Sequence, residues 1–423
     1  MRHLRSMNGN ALNRARLLRV LPILLCATSL AAQPASGPTP LLDAHTNVDW
    51  WFVFKFNAAS FPKSCAAAQR VCPFGGDAQA YRQFSQQFAY ASSTNHTLQQ
   101  GGGCVGVTTA DPLGATFSQV YNGRFFYVLW NDQFYGDPIK TESAPAGHSK
   151  GMLAWDNDGN GFVLQVSTPD WPASGSSDHP RKTDGNTLGC IAHDNDVMVS
   201  QHFFSLKLTK SDVATVLKAL ANASVVTDTA NPQIVNNGGP ADIQALVTVL
   251  GKDSTSKTPT KDTLSSGVVL ISKPSDLNVP PWQMVSAMLG EPLRAATWWT
   301  KPEIPTTTAK TPVPKCWDPS LGKPKAVEIA ITGTWKNETT GQNMTLGLVG
   351  MAEPEGNHAK IGVSTAGSHA YAIFGDMNQQ GSLSGPNCKS SQNGRGGLFY
   401  VVEDAALHDS LQDLIKGNKA PAK

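Results

Sequence analysis

The sequence predicts an α/β or α+β sandwich built from two fused copies of one unit. Three observations carry this expectation. Apolar runs of strand length are interspersed with amphipathic stretches of helix length along the whole chain. The composition holds 38 Gly and 28 Pro while only 16% of residues are charged, which favours strands and turns over a helical bundle. Short marks also recur at a nearly constant interval. A strand ends in lysine at Lys55 and again at Lys273, a His-x-Lys occurs at His148-Ser-Lys150 and His358-Ala-Lys360, and a strand exits at Ser167 and Asn378. The intervals are 218, 210 and 211 residues, as a fusion of two copies of one unit requires.

The chain begins with a segment that reads as a secretory signal peptide over residues 1–32. It carries Arg2, Arg5, Arg14, Arg16 and Arg19 without an acid, then the apolar run Val20–Ala27, then the small-residue exit Ser29-Leu30-Ala31. That apolar run is well below the roughly 20 residues needed to span a bilayer, so no membrane insertion is expected. The whole chain has 34 basic and 32 acidic residues; without the leader 29 basic face 32 acidic, a net charge of −3. An N-terminal lobe is expected over 33–235 and a C-terminal lobe over 236–423. Export to the periplasm or beyond the cell is expected, or a lysosomal or extracellular place for a eukaryotic source.

Six cysteines follow the leader, and an even number in an oxidising compartment favours disulfides over metal binding. Six allow 15 pairings. Local closure would give Cys65–Cys72, Cys104–Cys190 and Cys316–Cys388.

The first lobe opens on the aromatic strand Val48–Phe56. A turn-rich, Gly-heavy stretch follows to Gly106, with a polar helix expected near Asp77–Ala89. Strands are expected at Arg124–Trp130, Met152–Trp155 and Phe162–Ser167, and a helix over Leu206–Leu220 capped by Ser211 or Asp212. In the second lobe Gly267–Lys273 reads as a strand and Pro281–Leu289 as a short helix. Thr300–Lys325, rich in Pro, Thr and Lys, reads as a long surface loop. Strands are expected at Ala326–Ile331, Ala359–Val363 and Ala370–Phe374, and a final helix over Asp404–Lys416.

The chemistry rests on the two His-x-Lys pairs. Each stands at the start of a strand, where residues two apart share a face. A neutral imidazole and an ammonium aimed at one point suit a phosphodiester: lysine neutralises the anion and histidine attacks phosphorus. The second pair can then supply the general acid, and two lysines can stabilise the developing charge without a metal ion or other cofactor.

These residues, taken together, resemble the secreted deoxyribonuclease II family within the phospholipase D superfamily. The resemblance runs through Val48-Asp-Trp-Trp-Phe-Val-Phe-Lys55, Gly147-His-Ser-Lys-Gly151, Asp156-Asn-Asp-Gly159, Thr168-Pro-Asp-Trp-Pro172 and Gly185-Asn-Thr-Leu-Gly-Cys190. It continues through Asn357-His-Ala-Lys360, Gly375-Asp-Met-Asn378 and Arg395-Gly-Gly397, and so covers nearly everything after residue 45. It implies two lobes of phospholipase D type with one active site at their junction. It also implies metal-independent, acid-side endonuclease action leaving 3′-phosphate and 5′-hydroxyl ends. His148 then forms the phosphohistidine, His358 protonates the leaving oxygen, and Lys150 and Lys360 hold the phosphate. Gln165, Ser167, Asp376 and Asn378 are the supporting or phosphate-binding residues the resemblance implies. Three positions depart from the family pattern. Asn357 stands where Asp is usual, Gln165 stands where His is frequent, and a cysteine before Val48 is missing.

Other marks read structurally. Asp156-Asn-Asp-Gly-Asn-Gly161 has a calcium-loop start, but Ser167 holds the twelfth place and strands flank it, so a hairpin turn is expected. His179, His193 and His202 lack metal-ligand spacing, and Trp50 and Trp51 read as core. The partner expected is DNA, double-stranded before single-stranded, with homodimerisation left open. The competing readings are a phosphodiesterase of the same superfamily acting on RNA, nucleotides or phospholipid, and a secreted binding protein without catalysis. The charge of −3 means that a nuclease must rely on a local basic cleft, not on its global field.

Overall fold

A computed structural model describes residues 37–60, 87–103, 105–106, 109–134, 144–169, 171–172, 179 and 198–422. The expected leader, Cys65, Cys72, Cys104, Cys190, the Gly185–Cys190 landmark, His193 and all but the end of the expected helix at Asp77–Ala89 lie outside these residues. Phe88 and Ala89, at the end of that segment, are strand.

The elements of the first half are β1 (Trp50–Lys55), β2 (Phe88–Ser92), β3 (Asn95–Gln100), α1 (Pro112–Tyr121), β4 (Phe126–Asn131), β5 (Lys150–Trp155), β6 (Gly161–Val166), β7 (Gln201–Leu208), α2 (Lys210–Asn222), β8 (Val235–Asn236) and α3 (Ala241–Val247). The second half contributes β9 (Thr260–Thr263), β10 (Val269–Lys273), α4 (Pro281–Leu289), β11 (Leu293–Ala296), β12 (Val327–Ile329), β13 (Thr332–Lys336), β14 (Asn343–Gly347), β15 (Ile361–Ser364), β16 (Tyr371–Gly375), β17 (Gly397–Glu403) and α5 (Ala405–Leu414).

Strands β1–β8 make one sheet in the order β3-β2-β1-β7-β6-β5-β4-β8. A second sheet has the order β12-β11-β15-β16-β17-β10-β9, and β13 with β14 forms a separate hairpin. The antiparallel run β1-β7-β6-β5 has the same order as β10-β17-β16-β15. β4 and β11 then flank β5 and β15 in the same antiparallel sense. A helix follows the third strand of each hairpin series, α2 after β7 and α5 after β17. The repeat read from lysine and histidine spacing is therefore a repeat of topology, in an α+β fold.

The sheets pack on each other through aromatic rings. Phe52 of β1 and Phe204 of β7 stack on Phe374 of β16, with centroids 4.5 and 4.6 Å apart, and Tyr400 of β17 lies 5.6 Å from Phe204. One hydrophobic core thus draws on both sheets. With both faces covered, β1 and β5 are buried along their whole length, and so their apolar runs are continuous and do not alternate.

That double burial also explains the misplaced helix start at Leu206. Leu206 and Leu208 belong to β7, and the helix begins at Lys210. Its cap is Thr209, not Ser211 or Asp212. Thr209 and Asp212 form a reciprocal capping box, which satisfies two backbone donors at once. α4 and α5 match expectation, and Asp404 caps α5 through the Leu407 amide at 2.8 Å. The Thr300–Lys325 connection is not wholly on the surface. Ile304, Thr306 and Thr307 are buried, and Thr307 exchanges hydrogen bonds with Val327 at the edge of β12. Cys316 and Cys388 are disulfide-bonded with Cα atoms 5.2 Å apart, as expected. Asp156–Asn160 is the expected hairpin turn, Trp51 is fully buried, and Trp50 is nearly so.

Candidate active site

Both His-x-Lys pairs sit where the chain enters a strand, Lys150 opening β5 and Lys360 just ahead of β15. Strand register shows how the two repeats correspond. Gln165 pairs with Gly151 and Phe204, and Phe374 pairs with Ile361 and Tyr400. Two residues further along, Ser167 corresponds to Asp376. The interval there is 209 residues, so Asp376, and not Asn378, is the structural partner of Ser167.

These two residues anchor the imidazoles in a crossed fashion. His148 Nδ1 lies 2.8 Å from the main-chain oxygen of Asp376, and His358 Nδ1 lies 2.6 Å from that of Ser167. A carbonyl oxygen only accepts, so Nδ1 of His148 carries the proton and its Nε2 keeps the lone pair, while Nδ1 of His358 faces both the Ser167 oxygen and the Lys360 ammonium. The backbone is crossed as well. The amide of His148 donates to Gly396 O at 2.8 Å and that of His358 to Ser200 O at 2.7 Å. Gly147 and Gly396 both pack against the Ala223 carbonyl at the end of α2. A Cβ would stand 2.4 Å from that oxygen at Gly147 and 2.1 Å at Gly396, so neither position accepts a side chain without backbone movement.

The lysines differ. Lys150 Nζ lies 2.5 Å from Asp132 Oδ1, and Arg395 binds the other oxygen of Asp132 at 3.0 Å, all three nearly or fully buried. Arg395 also donates to Ala146 O and Gly147 O at 2.9 Å each, bracing the turn into His148. Lys360 Nζ lies over its neighbouring imidazole, 2.9 Å from Nδ1 and 3.4 Å from Nε2 of His358, and donates to His358 O at 2.6 Å. The position equivalent to Asp132, two residues past the end of the corresponding strand, is Trp298. Its ring meets His358 edge-on with centroids 4.9 Å apart.

Electrostatics makes both histidines poor proton acceptors. Burial first, then Lys150, Arg395 and Lys360, holds His148 well below the usual imidazole range, with Asp132 opposing. Burial, Lys360, Lys150 and His148 do the same to His358, opposed by its Ser167 hydrogen bond. Each pair thus feels the other's charge across the junction of the repeats. Burial alone would raise Asp132, but Lys150, His148 and Arg395 hold its carboxyl far below the ordinary range. Asp376 is pushed up to about 7 by burial, despite hydrogen bonds from Ser149, the Leu398 amide and Gln165.

Gln165, expected as a supporting residue, donates to Asp376 Oδ1 at 3.0 Å; its Oε1 has no partner among the described residues. Ser167 donates to Gln201 at 2.5 Å and accepts from the His202 amide. Asn378 stands apart from the histidines in its bonding. It donates to Gln380 at 2.9 Å, and its buried Oδ1 has no partner among the described residues. Asn357 both accepts from and donates to Ala359 across 3.1 Å, a pair of bonds that a carboxylate could not complete. His202 is fully buried, and its Nδ1 accepts the Lys360 amide at 3.1 Å.

Sequence reasoning assigned no role to Asp132, His202 or Trp298, and it used Arg395 only as a landmark. Asp132 has no motif linking it to Lys150; only the antiparallel pairing of β4 with β5 brings them together.

The family model described as deoxyribonuclease II matches residues 40–420. Similar proteins include deoxyribonuclease-2-alpha of Sus scrofa, 28% identical over 178 residues, which is 40% of this chain and 43% of that protein. Deoxyribonuclease-2-alpha of Bos taurus is 29% identical over 156 residues, 36% of this chain and 38% of that protein. The matched segment spans less than half the length of these relatives. The family model, in contrast, takes in both repeats and both His-x-Lys pairs, and the chain belongs to the deoxyribonuclease II family.

Proposed function

We propose that this protein is an acid endonuclease that hydrolyses DNA phosphodiester bonds without a metal ion, using His148 and His358 as its reacting groups. The observation that carries the reading is the crossed anchoring of the two imidazoles, each held through Nδ1 by a main-chain oxygen of the other repeat; on this reading each Nε2 is the reacting atom. Family membership supports DNA as the substrate.

In this reading Lys150 and Lys360 hold the non-bridging oxygens of the scissile phosphate. Nε2 of His148 attacks phosphorus, the P–O5′ bond breaks, and His358 gives its Nε2 proton to the leaving oxygen. Water then attacks the phosphohistidine, losing a proton to His358, and releases a 3′-phosphate with His148 restored. His358 must be protonated for the first step, and its depressed proton affinity places that requirement on the acid side of neutrality. The bound phosphate anion offsets the two lysines and eases proton uptake.

On the same reading residues 1–32 direct export, residues 33–235 and 236–423 are the two lobes, and the protein works in the periplasm or outside the cell. The Cys316–Cys388 disulfide suits an oxidising compartment. Among the described residues no helix is long and apolar enough to cross a membrane.

Plasmid DNA incubated with the protein at about pH 5 in chelator tests the proposal. Nicking that is abolished by His148→Ala and leaves ends that a phosphatase can attack at the 3′ side is the expected result. Intact plasmid, or equal nicking by the variant, overturns it. Faster turnover of RNA or lipid vesicles than of DNA would move the same site to another phosphodiester.

A further inference from the structure

Each repeat ends its first aligned strand in a lysine that is completely buried, Lys55 in β1 and Lys273 in β10. The catalytic scheme above uses neither. Their ammonium groups point at main-chain oxygens. Lys55 Nζ lies 2.6 Å from Val199 O and 3.3 Å from Phe56 O. Lys273 Nζ lies 2.8 Å from both Asn393 O and Arg395 O, and 3.3 Å from Pro274 O. Lys55 pairs with Gln201 in the sheet and Lys273 with Gly397, so Val199 and Arg395 are equivalent positions two residues ahead of those partners.

The next residue in each segment carries the link. Ser200 O, one residue after Val199, accepts the amides of His358 at 2.7 Å and Ala359 at 3.1 Å. Gly396 O, one residue after Arg395, accepts the amide of His148 at 2.8 Å. A lysine of one repeat thus grips the strap from which the histidine of the other repeat hangs. Burying an ammonium is costly, and an apolar side chain of similar length would fill the same space. An apolar side chain could not hold two or three carbonyls that have left the sheet ladder, and that is what both sites share.

We infer that Lys55 and Lys273 are crossed positioning residues: Lys55 sets the placement of His358, and Lys273 sets that of His148. This rests on the reading of His148 and His358 as the reacting pair. The lysines touch neither substrate nor reacting atoms; they act through Val199-Ser200 and Arg395-Gly396.

The test uses the full chain with isotope-labelled histidine, substituted Lys55→Met, Lys273→Met, Lys55→Arg and Lys273→Arg. Imidazole nitrogen and Cε1 resonances are recorded at one pH without DNA. Lys273→Met should shift the ring signals of His148 and leave those of His358 in place, and Lys55→Met should do the reverse. In DNA cleavage each Met variant should lose kcat by about 10- to 100-fold with KM changed less than about 3-fold, as expected of small displacements of a reacting group. The Arg variants keep the charge and donors but carry a larger head, and should shift the same histidine while losing less kcat than the Met variants. Each lysine perturbing the histidine of its own repeat, both histidines equally, or neither in a folded variant overturns the inference. If a Met variant does not fold, the resonance pattern of the matching Arg variant decides, since its larger head still displaces the strap. Wild-type protein inert toward DNA would overturn the nuclease reading alone, because the resonance pattern does not depend on cleavage.

Discussion

The ring of His148 is held by the main-chain oxygen of Asp376, 2.8 Å from its Nδ1, although the two residues are 228 positions apart and belong to different repeats. The same carbonyl–imidazole bond joins His358 to Ser167 at 2.6 Å. A main-chain acceptor sets the tautomer without adding a negative charge beside the ring. The local charges that do exist, Lys150, Lys360, Arg395 and Asp132, are therefore left to set proton affinity.

His148→Ala and His358→Ala should each lower DNA cleavage by at least about 10³-fold while leaving the fold intact. Acid-quenched reactions with labelled DNA should yield a phosphorylated peptide containing residue 148. A label recovered at residue 358 would exchange the two roles.

The rate should rise as pH falls below about 6.5, because burial and the neighbouring lysines keep both histidines neutral above that value. At still lower pH the attacking Nε2 becomes protonated and the rate falls again, giving a bell whose two limbs belong to the coupled pair. The acid shift should be stronger in kcat/KM than in kcat, since bound phosphate offsets the lysines. Initial rates over a pH series in chelator check this, and a maximum near about pH 9 would contradict it.

Asp132→Asn should leave the Lys150 and Arg395 charges buried without their shared anion. A cost of about 3–5 kcal/mol is expected, readable by denaturant unfolding. Asp132 is also the neighbour that raises the proton affinity of His148, so the variant should hold His148 still lower. Its pH–rate profile should shift further toward acid.

Stability should fall as pH drops below about 6.5. The folded-state values of His148, His202 and His358 all lie below the unfolded value, so the unfolded chain binds more protons there. Asp376 acts in the opposite sense. Its folded value of about 7 exceeds the unfolded one, so its contribution is full below about 3.8 and is lost as pH rises through 7. Three histidines outweigh one aspartate between about pH 5 and 6.5. His202→Asn, whose Oδ1 can still accept the Lys360 amide, should make that slope shallower by about 1 kcal/mol per pH unit. An unchanged slope in urea unfolding would contradict this.

Removing the Cys316–Cys388 bridge by a double Cys→Ser change should cost about 2–4 kcal/mol, since it frees a long loop in the unfolded chain. Denaturant unfolding of wild-type and of the variant, both without reductant, should show this loss.

The sequence by itself determined the duplication, the strand content and the two His-x-Lys pairs. Continuous apolar runs such as Trp50–Lys55 and regular intervals between lysines and histidines are local properties, visible without coordinates. It went wrong where local pattern is ambiguous. Leu206 and Leu208 fit a helix as well as a strand buried on both faces, and only the sheet decided between them. The interval of 211 residues paired Ser167 with Asn378, whereas ladder register pairs it with Asp376.

Only the tertiary structure decided which groups hold the site. The anchors of His148 and His358 are carbonyl oxygens of Asp376, Gly396, Ser167 and Ser200, and every residue type has a carbonyl, so no side chain announces them. Asp132 met Lys150 and Arg395 through strand pairing and sheet packing, which spacing along one chain does not encode. The charge of the site was likewise a tertiary outcome. A net −3 over residues 33–423 says little about two buried lysines and an arginine gathered around two neutral imidazoles. Proton affinity depends on burial and on neighbours within a few ångströms, and folding alone sets both.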